Sequence, residues 1–386
     1  MGVSRSLLYF IVAPIIGLGL QSASAQYTQT DFVSNVPGAK LTDPNLVDPW
    51  GIAFSPLSPA WIANSGTGVA TLYTGGAQSP PVINQVPLVV TIPGPGPGGS
   101  GGTPTGIVFN SATQFSTTSF NRDNFLFSSL NGGIFGWRGA LGTTAETFQT
   151  PSATNVYTGL ALATIGSVVN PDVYLYAANF RTGTIDVTKG SSGSPDLTGR
   201  FTDPNLPAGY APFNIQNLNG TMFVTYAQQD ASKSQPMTGA GLGFVDAFDL
   251  NGNLIHRLAS RGALNAPFGL AIAPMDFGQF GGDLLVGNRG DGRINAYDPT
   301  TGAFIGTLSD AQGNPISNAL LTALAFGNGA SFSSNALLFT AGDGLFGEIV
   351  ATATPLPAAL PLFASGLGTL GLLCWRRKRK AQAAPG

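Results

Sequence analysis

Short apolar runs alternate with turns rich in Gly, Asn and Asp along most of this chain. The clearest example lies between Ala266 and Asp298, where three apolar runs are separated by Gly-rich turns such as Arg289-Gly290-Asp291-Gly292. Runs of this length between such turns are typical of an antiparallel strand meander. One small sheet of this kind cannot bury its own apolar faces, so the pattern predicts neighbours of the same type.

The same outline recurs through the chain at a nearly constant interval. Its equivalent positions are Gly51, Gly106, Gly159, Asn214, Gly269 and Ala323, which are 55, 53, 55, 55 and 54 residues apart. A repeat of this length with several strands per unit indicates blades of four strands packed around an axis. The sequence therefore predicts an all-β fold, a six-bladed β-propeller.

The ends of the repeated region predict how the ring closes. Residues 26–36 form one strand-like run without a repeat of its own, and the sixth unit stops after its third strand near Val350. We expect the N-terminal strand to complete the last blade, because closure leaves only short, protected edges. In the other units a polar hairpin leads to a fourth strand, for example over 86–92, 254–258 and 303–308.

The two ends of the chain differ from the repeated part. Residues 1–25 combine Arg5, an apolar run over 7–20 and the site Ala23-Ser24-Ala25, which is the layout of a secretory signal peptide. Residues 356–375 are almost uniformly apolar and precede the basic cluster 376–380, which predicts a single transmembrane helix. We expect a signal peptide over 1–25, the propeller over 26–350, and a Pro-rich linker, membrane helix and basic tail over 351–386.

Charge and composition narrow the class of function. Charged residues make up only 9% of the chain, which contains 53 Gly and 28 Pro. Residues 26–350 carry eleven basic and nineteen acidic side chains, which argues against nucleic acid, since nucleic acid requires a basic face. With only His256 and Cys374, no Ser-His-Asp triad is expected near the channel, and the body has neither a Cys nucleophile nor a disulfide.

One group of candidate site residues precedes the repeated Gly position. In a propeller, the connections before the first strands emerge at one mouth of the central channel. The residues expected there are three aromatics and three threonines: Trp50, Phe213, Phe268, Thr105, Thr158 and Thr322. They could form a platform for an uncharged or sugar-like ligand, because aromatic faces stack and hydroxyls hydrogen-bond. The alternative is that they plug the narrow end of the channel.

A second group follows the second strands. Its members are Asn64, Asn179, Asn288, Asp291 and Asp343. Carboxylate and amide oxygens could converge to bind Ca²⁺, which takes six to eight oxygen ligands. The alternative is that these residues only form turns, where Asn and Asp are favoured. The residues therefore leave two functions open: a non-catalytic binding or scaffold module, or a metal-dependent channel hydrolase resembling a lactonase.

The segment 227–243 is much longer than the corresponding turns of the other units. Long loops inside compact domains are often functional, although surface loops also tolerate plain insertions. We therefore treat this segment as a candidate binding element.

The tail resembles the C-terminal sorting signal of PEP-CTERM proteins. The resemblance rests on Pro355-Leu356-Pro357, the apolar span and the Arg-rich end, although an acidic residue usually stands between the two prolines. It implies export, a membrane anchor before processing, and an exosortase-type enzyme as partner. The destination would be the outer envelope or the extracellular matrix, where the ligand would be an exopolysaccharide or a protein.

The body also resembles known propeller families. Residues 48–54, 207–216, 223–230 and 284–299 are similar to a family of bacterial proteins that often carry this tail. More distantly, the body is similar to NHL-type and gluconolactonase-like six-bladed propellers, of which the latter hold a divalent metal through a Glu of the first blade. Neither Glu146 nor Glu348 is at that position, which argues against lactonase activity.

Overall fold

The computed structural model describes residues 26–75, 82–114, 118–167, 169–342 and 344–352. Within these ranges the strands form six sheets, each built mainly of antiparallel neighbours. The chain opens with β1 (Gln26–Ser34) and β2 (Leu41–Thr42). Blade one follows, with β3 (Pro49–Ala53), β4 (Ala60–Asn64), β5 (Val69–Gly75), β6 (Ile83–Gln85) and β7 (Val90–Thr91).

The next two blades differ in their number of strands. Blade two contains β8 (Pro104–Phe109), β9 (Phe125–Ser129), β10 (Ile134–Trp137) and β11 (Glu146–Gln149). Blade three contains β12 (Tyr157–Ile165), β13 (Asp172–Asn179) and β14 (Thr184–Lys189).

The second half of the ring repeats this plan. Blade four contains β15 (Tyr210–Leu218), β16 (Thr221–Gln229), β17 (Pro236–Met237), β18 (Phe244–Phe248) and β19 (Leu254–Ser260). Blade five contains β20 (Pro267–Ile272), β21 (Leu284–Asn288), β22 (Ile294–Tyr297) and β23 (Phe304–Thr307). Blade six contains β24 (Leu321–Phe326), β25 (Leu337–Ala341) and β26 (Leu345–Thr352).

Short 3₁₀ turns lie in the connections between strands. They cover Pro97–Gly99, Ser111–Gln114, Ser119–Arg122, Gly139–Leu141 and Gly278–Phe280. No helix in the described part of the chain is long and apolar enough to cross a bilayer. The predicted signal peptide and the predicted membrane helix both lie outside the described residues.

The N-terminal strand closes the ring as predicted. Strand β1 pairs antiparallel with β26 from Gln26 opposite Thr352 to Ser34 opposite Leu345. Phe32 is fully buried, and its ring lies 5.9 Å from the ring centroids of both Phe332 and Phe346. The last blade is therefore assembled from both ends of the described chain.

The prediction of a fourth strand in every unit is wrong for blade three. The described residues between Lys189 and Tyr210 contain no strand. They begin with Gly-Ser-Ser-Gly-Ser-Pro over 190–195, and these residue types favour turns and remove a ladder donor. In blade one the expected strand over 86–92 is split into β6 and β7 around Pro87, which has no N–H to donate.

The repeated Gly position has a packing cause. A Cβ on Gly51 would lie 2.6 Å from the carbonyl oxygen of Thr105 in the next blade, and a Cβ on Gly269 would lie 2.6 Å from that of Thr322. Real side chains do not approach so closely, so Gly allows the inner strands to pack. The period of the sequence therefore reflects close contact between consecutive blades.

Candidate functional site

The two ends of the propeller differ, and each is defined by its connections. Strands within a blade alternate in direction, so the connections into first strands and from second to third strands share one end. We call it the plugged end, for the reason given next. The connections from first to second and from third to fourth strands share the opposite end, which we call the open end.

Three aromatic rings close the channel at the plugged end. Phe213 lies 5.0 Å from Phe268 and 6.2 Å from Trp50, and Trp50 lies 5.2 Å from Phe268, all in edge-to-face geometry. Phe180 adds a further ring 5.1 Å from Phe213. Because Trp50, Phe213 and Phe268 are at most 2% exposed, they pack as an aromatic plug, the alternative that the sequence left open.

The three predicted threonines are buried beside this plug. The Thr105 hydroxyl donates to the Tyr157 carbonyl of the next blade at 2.7 Å, and the Thr322 hydroxyl donates to the Pro49 carbonyl at 2.8 Å. Thr158 bonds more weakly within its own blade, to Ala178 at 3.4 Å. Two of these hydroxyls therefore join consecutive blades. A ligand platform made by the six residues stays a prediction.

Arg289 lies over the plug, and the sequence analysis missed it. Its guanidinium carbon is 4.6 Å from the Trp50 ring, and one nitrogen is 3.7 Å from an Asp48 carboxylate oxygen. The Trp50 indole N–H donates to the same carboxylate at 3.0 Å. A signal existed, since Arg289 directly follows a second strand at the position that Phe180 occupies in blade three.

The predicted asparagines are buried in alternate blades and hydrogen-bond to nearby chain. Asn288 accepts from the Asn265 N–H at 3.1 Å and donates to the Ala263 carbonyl at 2.7 Å. Asn179 accepts from the Val156 N–H at 3.2 Å. These bonds fasten the connections that enter the first strands of the same blades.

The other proposed metal ligands behave as follows. Asn64 donates to the Thr71 hydroxyl at 2.9 Å, and Asp291 accepts from the Arg293 N–H at 3.2 Å. Asp343 lies outside the described residues. Among the residues that are described, no three His, Cys, Asp or Glu side chains group as metal ligands. The Ca²⁺ site remains an alternative hypothesis.

The open end contains a cavity of about 860 Å³ between blades four, five and six. A smaller cavity of about 310 Å³ adjoins it towards blades one to three, and Gln216, Leu218 and Ala325 line both. None of the residues that line either cavity is acidic, basic, His or Cys. The side-chain oxygen of Gln216 is buried here without a hydrogen-bond partner. This end therefore offers a neutral surface without acid–base groups.

A buried acid lies inside blade four. Asp203 interacts with Arg257, whose Nε is also 3.5 Å from Asp246. Burial, reinforced by the neighbouring Asp203 carboxylate, raises the pKa of Asp246 from its ordinary 3.8 to about 7. Glu348 in blade six behaves similarly, since burial raises its pKa to about 7.

These raised pKa values predict that the protein loses stability as the pH rises. A carboxyl whose pKa is higher in the folded state stabilises the fold fully at pH values below its unfolded pKa, and this contribution is lost through pH 7. We expect the melting temperature to fall between about pH 5 and about pH 8, and Asp246→Asn to flatten this slope. Calorimetry across this range tests it. A slope of opposite sign, or one unchanged in the variant, contradicts it.

The described fold defines the class as an all-β, six-bladed propeller. The chain is 34% identical over 290 residues to the uncharacterized protein R648 of Acanthamoeba polyphaga mimivirus, covering 72% of this chain and 68% of that protein. It is 29% identical over 286 residues to the uncharacterized protein L690 of the same virus, covering 71% of each. The chain therefore belongs to the family of these viral proteins. No protein-family model matches it.

Solved structures are similar at the level of the fold. Virginiamycin B lyase from Staphylococcus aureus is 13% identical with a TM-score of 0.43, covering 84% of this chain and 99% of that one. The Pan2 WD40 domain of Neurospora crassa is 11% identical with a TM-score of 0.45, covering 86% and 97%.

Proposed function

We propose that this protein is an exported, envelope-attached binding module without catalytic activity, which presents its plugged end to a partner. The placement of the chain ends supports this orientation. Gln26 and Thr352 pair at the open end, so a tail that anchors the protein leaves from that end. The plugged end then points away from the attachment and towards partners.

The observation that carries the proposal is an ordered extension at the plugged end. The long segment after β16 folds back as β17, which pairs with Gln228 and Gln229. Asp230 holds the turn, since its carboxylate accepts from the Ser234 N–H at 2.9 Å. Met237 is 47% exposed on this hairpin, beside the exposed Lys233. A fixed backbone that presents an apolar side chain binds a partner with little loss of entropy.

The sequence left a glycan or a protein as partner, and the geometry favours a protein. Sugar rings bind on exposed aromatic faces, but Trp50, Phe213 and Phe268 are buried in the plug. A flexible, apolar Met side chain beside a Lys is typical of surfaces that bind protein segments. The neutral lining of the open-end cavities supports the absence of catalysis, because acid–base chemistry requires titratable groups.

Capture of a partner by matched variants tests this function. The full chain in detergent would be immobilised and exposed to an envelope extract from the producing cells, and in parallel to a glycan array. We expect one protein partner, whose binding Met237→Ser weakens about tenfold, as truncation of a central interface residue does. Met275→Ser changes an exposed Met at the opposite end and should leave capture intact. Equal capture by both variants, or binding to glycans alone, would refute the proposal.

A further inference from the structure

Three apolar side chains protrude at the open end. Leu57 is 84% exposed, Met275 83% and Val169 73%, and the next large apolar residue of the described chain, Val36, is only 58% exposed. Each of the three lies in the connection from the first to the second strand, in blades one, three and five respectively. Alternate blades around a six-bladed ring give three well-separated points of contact that surround the open-end cavities.

The loops that carry these residues are held by hydrogen bonds and packing. Asn328 donates to the carbonyls of both Ser55 and Ser58, at 3.0 Å each, across the base of the Leu57 turn. In blade five a Cβ on Gly281 would lie 2.3 Å from the Met275 carbonyl oxygen, so the two sides of that loop are in close contact. The fold thus fixes two of the loops while leaving their apolar tips in water. Exposure of this kind indicates an interaction surface.

The charge of these loops identifies the kind of surface. The connections from first to second strand in blades one, three, four and six contain no charged residue, and that of blade five contains only Asp276 and Asp283. A surface that binds anionic lipid needs clustered Lys or Arg. The open end therefore fits a zwitterionic lipid surface, which apolar side chains enter without electrostatic attraction.

The position of the chain end points to the same partner. Strand β26 ends at Thr352 on the open end, where the Thr352 hydroxyl donates to the Gln26 carbonyl at 2.7 Å. The apolar stretch that predicts a membrane helix begins at Leu356. Four residues span at most about 14 Å even when fully extended. A bilayer entered by that stretch would therefore lie next to the open end.

We infer that the open end of the propeller rests on a zwitterionic lipid surface, with Leu57, Val169 and Met275 inserted between the headgroups. The neutral cavities inside this ring of loops then face the lipid, and the plugged end faces away from it. This inference goes beyond the proposed function, because lipid contact at the open end does not require a partner at the hairpin of Met237.

The test places a fluorescent probe at each loop tip of the full chain. Cys374→Ser removes the native thiol, and Leu57→Cys, Val169→Cys or Met275→Cys then supplies one labelling site. Val36→Cys is the matched control, since Val36 is an exposed apolar residue that follows β1 at the plugged end. Each labelled protein, checked for an unchanged melting temperature, is reconstituted in phosphatidylcholine vesicles that contain a spin-labelled lipid quencher.

We expect the quencher to reduce emission at the three loop tips several-fold more than at position 36. Because the contact is apolar, quenching should persist when the salt concentration rises from about 0.1 M to about 1 M. Equal quenching at all four positions, or none at any, would overturn the inference. So would loss of quenching in high salt. Burial of the loop-tip probes before vesicles are added would assign this surface to protein contact instead.

Discussion

Deleting residues 26–36 should abolish the cooperative unfolding of the propeller. The deletion removes β1, which buries Tyr27, Phe32 and Val33, and it exposes the whole edge of β26. Each of these side chains contributes about 1.5–3 kcal/mol by burial. Their sum approaches the roughly 5–15 kcal/mol by which typical domains are stable. An unpaired strand edge also favours aggregation.

A circular permutant separates the pairing of this strand from its place in the sequence. Gln26 lies opposite Thr352, so a two-residue Asn-Gly turn could join Thr352 to Gln26 and make β26 and β1 a hairpin. We expect the permutant of residues 26–352 to unfold cooperatively, with a melting temperature near that of the parent, while the deletion does not. A deleted protein that melts like the parent would show that β1 is dispensable.

Truncating Phe213 should cause the second large effect. The side chain is fully buried and contacts the rings of Trp50, Phe180 and Phe268. Replacing a buried Phe by Ala costs about 3–5 kcal/mol, because it removes apolar contacts and leaves a cavity. We therefore expect Phe213→Ala to lower the midpoint of urea unfolding substantially, without a change in the slope of the transition.

Phe304→Ala is the matched control for this experiment. Phe304 is 52% exposed on an outer strand, so its truncation should change stability by about 0.5 kcal/mol or less, as at ordinary surface positions. If Phe213→Ala were as mild as Phe304→Ala but abolished ligand binding, Phe213 would belong to a ligand platform and not to a plug. The pair of variants thus decides between the two interpretations that the sequence left open.

The predicted site residues lie at the end of the channel where the sequence placed them, but their environment could not be read from it. Trp50, Phe213 and Phe268 are neighbours only after six blades close, and no local pattern says whether rings at one mouth point outward or against each other. The position of Arg289 was also hidden, because its contacts with Trp50 and Asp48 join blades far apart in the chain.

The open end shows the same limit from the opposite side. Leu57, Val169 and Met275 are single apolar residues in loops of different sequence, and no spacing distinguishes them from buried residues. Gly51 and Gly269, by contrast, could be recognised as equivalent, because close packing of consecutive blades requires the same small residue at the same interval. Features that recur in every blade leave a period in the sequence, and features made once do not.

The sequence by itself determined the number of blades, the strand-and-turn content and the closure by the N-terminal strand. It could do so because each blade must bury two apolar faces and repeats the same solution. Only the tertiary structure decided which end of the channel is plugged, which loop tips are exposed and which end the chain leaves. Those properties depend on contacts between residues distant in sequence, and their geometry is fixed only when the ring closes.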